Sequence, residues 1–206
     1  MGSVMTRRLI QLFAGLLLYG FSMALLVEAG LGLDPWDVLH QGIAERAGLS
    51  IGTIVILVGV VVLLLWIPLR QRPGVGTIAN ALLVGLAADA SIWLLPSPDP
   101  LAVQIVFLVS GVVLNAVATA AYIGARLGPG PRDGLMTGLV QRTGRSVRVV
   151  RTSIEVTVLA TGWLLGGTVG AGTVVYALAI GPLVHLLLPR LQVREPVRVA
   201  AATAAT

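Results

Sequence analysis

The chain has 206 residues, 56% of them hydrophobic and only 11% charged. A soluble domain carries about 25% charged residues, so this composition excludes an ordinary soluble enzyme and a disordered chain. The absence of Cys excludes thiol catalysis, disulfides and Cys-based metal sites. The formal net charge of +5 comes from fourteen Arg and no Lys, and where those arginines fall decides what it means.

A membrane helix needs roughly 20 mostly apolar residues. Six stretches fit, at about 9–27, 51–69, 75–95, 101–124, 149–168 and 173–189. With six spans, thirteen of the fourteen arginines fall on one face, in the N-terminus, the second and fourth loops and the C-terminus; Arg46 alone falls on the other. Positive charge is retained in the cytoplasm, so both termini are expected there. Glu28, Asp34, Asp37, Glu45 and Asp99 fall on the opposite face. The arginines are spread over short segments with few aromatics between them, which removes the case for nucleic acid. The lipid bilayer is the expected surrounding, and nothing points to a metal, a cofactor or an enzyme. The first span starts basic and the 27–29 region faintly resembles a signal cleavage site, but this span has a counterpart within the chain and is expected to remain.

That counterpart belongs to an internal repeat. Sliding the chain by 96 residues sets Gly32, Pro35, Asp37 and Leu39 on Gly128, Pro131, Asp133 and Leu135. Gly42, Arg46, Gly48 and Ser50 fall on Gly138, Arg142, Gly144 and Ser146, and Gly74, Gly76 and Thr77 on Gly170, Gly172 and Thr173. From 28 to 87, 20 of 60 pairs are identical without a gap. Three spans per repeat turn the second copy upside down. The expected fold is therefore an all-α integral membrane protein: six transmembrane helices as two three-helix inverted-topology repeats, 1–98 and 99–194, with a flexible cytoplasmic tail at 195–206. That plan recurs in secondary transporters, whose sites lie where the repeats meet.

The repeated element reads Gly-x-x-Pro-x-Asp-x-Leu. Pro suits the first turn of a helix, Asp34 suits its N-cap, and Asp37 favours its positive end. The spacing predicts helices from Pro35 to about Ala47, stopping at Gly48, and from Pro131 to about Thr143, stopping at Gly144. About twelve residues rise only about 18 Å, so each is expected to be an interfacial or re-entrant short helix. Pro35, Trp36, Pro131 and Arg132 mark the two starts. One reading makes Pro and Asp simple helix starters and caps. The other sets the two helix ends in opposed vestibules, where they offer backbone donors to a substrate. Trp36 reads better as an interfacial anchor than as a stacking platform.

The Gly-Leu-Asp-Pro-Trp-Asp-Val-Leu element, its degenerate second copy and the doubled Gly-Thr pairs at 76–77 and 172–173 resemble the YczE/YyaS/YitT family of bacterial integral membrane proteins. The resemblance runs from the first span to the sixth. It implies a multi-pass protein of the bacterial cytoplasmic membrane, grouped with candidate small-molecule exporters, and names no substrate. Arg132 departs from the pattern, standing where the first copy has Trp36.

Ionisable and polar residues at membrane depth are functional candidates. Glu155 lies one turn after Arg151, as an ion pair near the interface or as a gated carboxylate. Asp89 and its repeat mate His185 are expected at opposite membrane sides as polar anchors. Asn80, Asn115 and Tyr122 can line a cavity or pair across helices. Gly15, Gly20, Gly59, Gly85, Gly111 and Gly181 suit close helix packing. The preferred reading is a secondary transporter of an unidentified small molecule, with Asp37, Asp133, Glu155, Asn80 and Asn115 as pathway candidates. The alternatives are a substrate-capture subunit of a larger transporter and a non-transporting scaffold or regulator. A homodimer is open to a molecule of this size.

Overall fold

The computed structural model describes residues 2–193, which form eight α-helices. They are α1 (Gly2–Ala29), α2 (Pro35–Ala47), α3 (Ile51–Trp66), α4 (Val75–Leu94), α5 (Leu101–Gly124), α6 (Pro131–Thr143), α7 (Val147–Leu164) and α8 (Ala171–Leu191). The expected tail at 195–206 lies outside the described residues, as do Arg194 and Arg198.

The helix boundaries repeat at the spacing read from the sequence. α2 and α6 begin at 35 and 131, α3 and α7 at 51 and 147, and α4 and α8 at 75 and 171. The local chemistry repeats with them. Gly48 and Gly144 end the short helices at φ 65° and 67°, a left-handed conformation that glycine adopts without a Cβ penalty. Ser50 and Ser146 cap α3 and α7, accepting from Thr53 N and Val149 N. The Thr77 and Thr173 hydroxyls reach back to Gly74 N and Gly170 N, at 3.1 and 3.2 Å.

Among the described residues, four helices are long and apolar enough to cross a membrane: α1 from Val4, α4, α5 and α8. α2 and α3 together pass the same test but are bent by 113° at their break, which makes five if the pair counts as one span. The spans expected at 51–69 and 149–168 coincide with α3, which has only 16 residues, and α7, which carries Arg148, Arg151 and Glu155. The outer faces of the long helices are apolar, with Leu178 of α8 73% exposed and Leu86 of α4 57%. Large apolar faces of this kind are tolerated in lipid and not in water.

α1 is the central element and lies against α4 and α5. Leu12, Leu16 and Met23 on it are fully buried. α1 and α5 cross closely because Gly15 meets the backbone of Tyr122, at 3.0 Å from a built Cβ to its N, and Gly111 meets Leu26 and Ser22. Gly20 meets Ala88, Gly85 meets Gly52, and Gly59 touches Ala81, so these glycines do serve packing. Gly181 has nothing within 4 Å and faces a cavity instead.

The two halves are interlocked. Gly172 N, at the start of α8, donates to Leu31 O in the loop after α1, at 2.7 Å. Gly76 N, at the start of α4, makes the equivalent bond to Leu127 O after α5, at 2.8 Å. The short helices cross over in the same way: α2 rests mainly on α7 and α6 mainly on α3.

Candidate functional site

The starts of α2 and α6 meet. Asp34 accepts from Trp36 N at 2.9 Å and Asp37 N at 3.2 Å, both through Oδ1, so it is the N-cap the sequence suggested. The equivalent position on α6 is Gly130, which offers no side-chain cap. Arg132 reaches from the first turn of α6 to the first turn of α2. Its Nη2 donates to Asp37 Oδ1 at 3.2 Å, its Nη1 lies 3.7 Å from Asp34 Oδ1, and its guanidinium sits 5.0 Å over the Trp36 ring. Trp36 and Arg132 are repeat mates, so equivalent positions of the two copies touch each other.

Three expectations change here. The helix ends do not open into separate vestibules, because an ion pair joins them. Arg132 touches both aspartates, so the expectation that set it on one membrane face and them on the other does not hold for these three residues. Trp36 is no interfacial anchor. It is 9% exposed and is a platform for a cation from the same chain. The earlier readings were local, and these contacts join residues 95 or more positions apart.

Around this junction lies a cavity of about 450 Å³. The helix starts supply Asp34, Pro35, Trp36, Pro131, Arg132 and Asp133 to its wall. Asp133 accepts a hydrogen bond from Tyr122 OH at 2.9 Å, and Tyr122 meets Tyr19 edge-on at 6.2 Å between centroids. Asn80 and Glu155 also line the cavity. Glu155 accepts from Arg151 Nε at 2.9 Å in a pair that is more than one-third exposed on both sides. Asp37 is fully buried and is held by Arg132 and by His40 Nδ1 at 3.0 Å, two residues that do line the cavity. Asn115 is not on the wall. It is buried between α1 and α8, where its Nδ2 donates to Ser22 Oγ at 3.0 Å and its Oδ1 accepts from Tyr176 OH at 2.8 Å. It positions Tyr176, which is on the wall.

The sequence did not single out Tyr19, His40 or Tyr176 as wall residues. Tyr19 and Tyr176 are the repeat mates of Asn115 and Asn80, so the offset of 96 links the four positions. His185 lines the cavity, while its mate Asp89 caps α3, accepting from Gly52 N at 2.7 Å. Trp66 of α3 packs against the start of α6: its Nε1 donates to Pro131 O at 3.0 Å and its ring lies against Gly134.

Residues 6–189 match a family described as a family of unknown function, DUF6198. The chain is 42% identical over 179 residues to an uncharacterized protein of Haemophilus influenzae, covering 87% of this chain and 82% of that one. It is 33% identical over 180 residues to the uncharacterized membrane protein YczE of Bacillus subtilis, covering 86% and 84%. With the uncharacterized protein YyaS of the same organism it shares 25% over 179 residues, covering 85% and 89%. No solved structure matches the chain. The resemblance carried by the Pro-Trp-Asp element and the Gly-Thr pairs is thus borne out by YczE and YyaS, and the apolar helices fit the membrane location in the name of YczE. The chain is a membrane protein, YczE-like, and belongs to the DUF6198 family.

Proposed function

We propose that the protein is a secondary transporter that moves a small molecule across the bacterial cytoplasmic membrane. The observation that carries this reading is the convergence of α2 and α6, one from each repeat, on a single cavity. Its volume of about 450 Å³ lies in the range of small-molecule sites. Broken helices whose starts face a site between repeats are the usual plan of such transporters. The exchanged contacts of α2 with α7 and α6 with α3 suit a rocking of one half on the other.

In this reading the chain makes six crossings as two inverted repeats, with α2–α3 and α6–α7 each acting as one broken span. The bend of 113° between α2 and α3 supports this for the first copy. The burial of Asp34 and Asp37 beside Arg132 supports helix starts at membrane depth, because buried charges need partners. The basic loops support a cytoplasmic location for both termini.

Purified protein in proteoliposomes, loaded with a mixed metabolite extract and assayed by counterflow with mass-spectrometric detection, tests the reading. At least one class of solute should exchange above empty vesicles, and Asp133→Asn should abolish that exchange. If no solute exchanges, the transporter reading falls.

A further inference from the structure

We propose that the cavity recognises a small organic cation with a guanidinium or ammonium head, which takes the place of Arg132 at Asp34 and on the face of Trp36. This rests on the cavity being a ligand site and names the class of ligand.

The first ground is that a cation already sits there. A carboxylate pair and an indole face hold the Arg132 guanidinium, and that set of groups binds a free guanidinium for the same physical reasons. The hold is unequal. Arg132 makes a hydrogen bond to Asp37 at 3.2 Å, but its approach to Asp34 is 3.7 Å and is only an ion pair.

The second ground is a free acceptor. Asp34 is 2% exposed and lines the cavity, yet its Oδ2 accepts from no described residue. Its Oδ1 is used by the cap. A buried carboxylate oxygen left without a donor is costly, and a ligand N–H relieves that cost.

The third ground is charge. The wall carries Asp34, Asp133 and Glu155, with Asp37 behind them, against Arg132 and Arg151. Arg151 is already paired with Glu155. The positive ends of α2 and α6 are met by the chain's own aspartates, so the wall carboxylates repel an incoming anion and attract a cation.

Equilibrium dialysis of radiolabelled methylguanidine against the full-length, detergent-purified chain tests this. Wild type should bind saturably, and acetate at equal concentration should not compete. An internal competitor that fills the site about nine-tenths of the time weakens apparent affinity about tenfold, so Arg132→Gln should bind about tenfold more tightly. Asp34→Asn keeps the helix cap but should bind about tenfold more weakly. Trp36→Leu should also weaken binding, and it decides the matter if Arg132→Gln does not fold. Asp99→Asn, exposed and away from the wall, should behave as wild type. No saturable binding, preferential competition by acetate, or equal affinity in Asp34→Asn and Trp36→Leu would overturn the proposal. Methylguanidine binding without counterflow would keep the cation site and remove transport. Counterflow of neutral or anionic solutes without methylguanidine binding would do the reverse.

Discussion

Arg132 shows how one residue can carry several meanings. By position it is one basic residue in a basic loop, and in the fold its half-buried guanidinium neutralises two buried aspartates. Removing one partner of a buried pair costs about 3–5 kcal/mol, mainly because the other charge is left alone. Arg132→Gln should therefore lower the melting temperature in detergent, and adding Asp37→Asn should restore much of the loss. Additive losses in the double variant would mean that the pair is not coupled. Asp133 differs, since its partner is a neutral hydroxyl, Tyr122 OH at 2.9 Å. Asn still accepts that hydrogen bond, so Asp133→Asn should keep the melting temperature of wild type while losing solute exchange. A variant that exchanges normally would leave Asp133 with a structural role only. Gly134 is a packing case. A Cβ there would run into the Trp66 ring, and overpacking costs about 1–3 kcal/mol. Gly134→Ala should lower the melting temperature accordingly, and Trp66→Phe in the same chain should give part of it back.

At the scale of elements, the loops after α1 and α5 are built alike. Gly32 has φ 114° and Gly128 φ 127°, and each sits against the start of a helix from the other half. A Cβ on Gly32 would lie 2.6 Å from Gly170 N, and one on Gly128 2.8 Å from Thr77 Oγ1. Both strain and contact oppose any side chain, so Gly32→Ala and Gly128→Ala should each cost more than about 1 kcal/mol. Gly30 has φ 64° and no atom within 4 Å, so Gly30→Ala should cost less than either. Thermal melts of the three variants check the order, and a larger loss at Gly30 would refute the account. These elements also show what could be read without coordinates. The starts and stops of α2 and α6 were legible because Pro35, Gly48 and their mates act on their own backbone neighbours. The repeat was legible because such residues keep one register of 96. The meeting of α2 with α6 was not, because nothing local in Trp36 or Arg132 states that they touch. The length of α3 was not either: its apolar run continues past Trp66, but the chain turns at 67–70, where Arg70 takes φ 54°.

For the whole molecule the decisive question is which way each half faces. The exchanged bonds from Gly76 N to Leu127 O and from Gly172 N to Leu31 O relate the halves by a two-fold operation; in the proposed topology, with three crossings per half, that axis lies in the membrane plane. Arg72 follows α3 and Asp99 precedes α5, and both are exposed. If each half crosses three times, the two positions lie on opposite faces. In that topology the positive-inside rule predicts position 72 in the cytoplasm and position 99 outside. The chain has no Cys, so Arg72→Cys and Asp99→Cys each introduce one labelling site without further change. In intact cells a membrane-impermeant maleimide should label Asp99→Cys at once. It should label Arg72→Cys only after the membrane is opened. Labelling of both from outside would mean an even number of crossings between them, and would remove the inverted topology together with the proposed rocking of one half on the other.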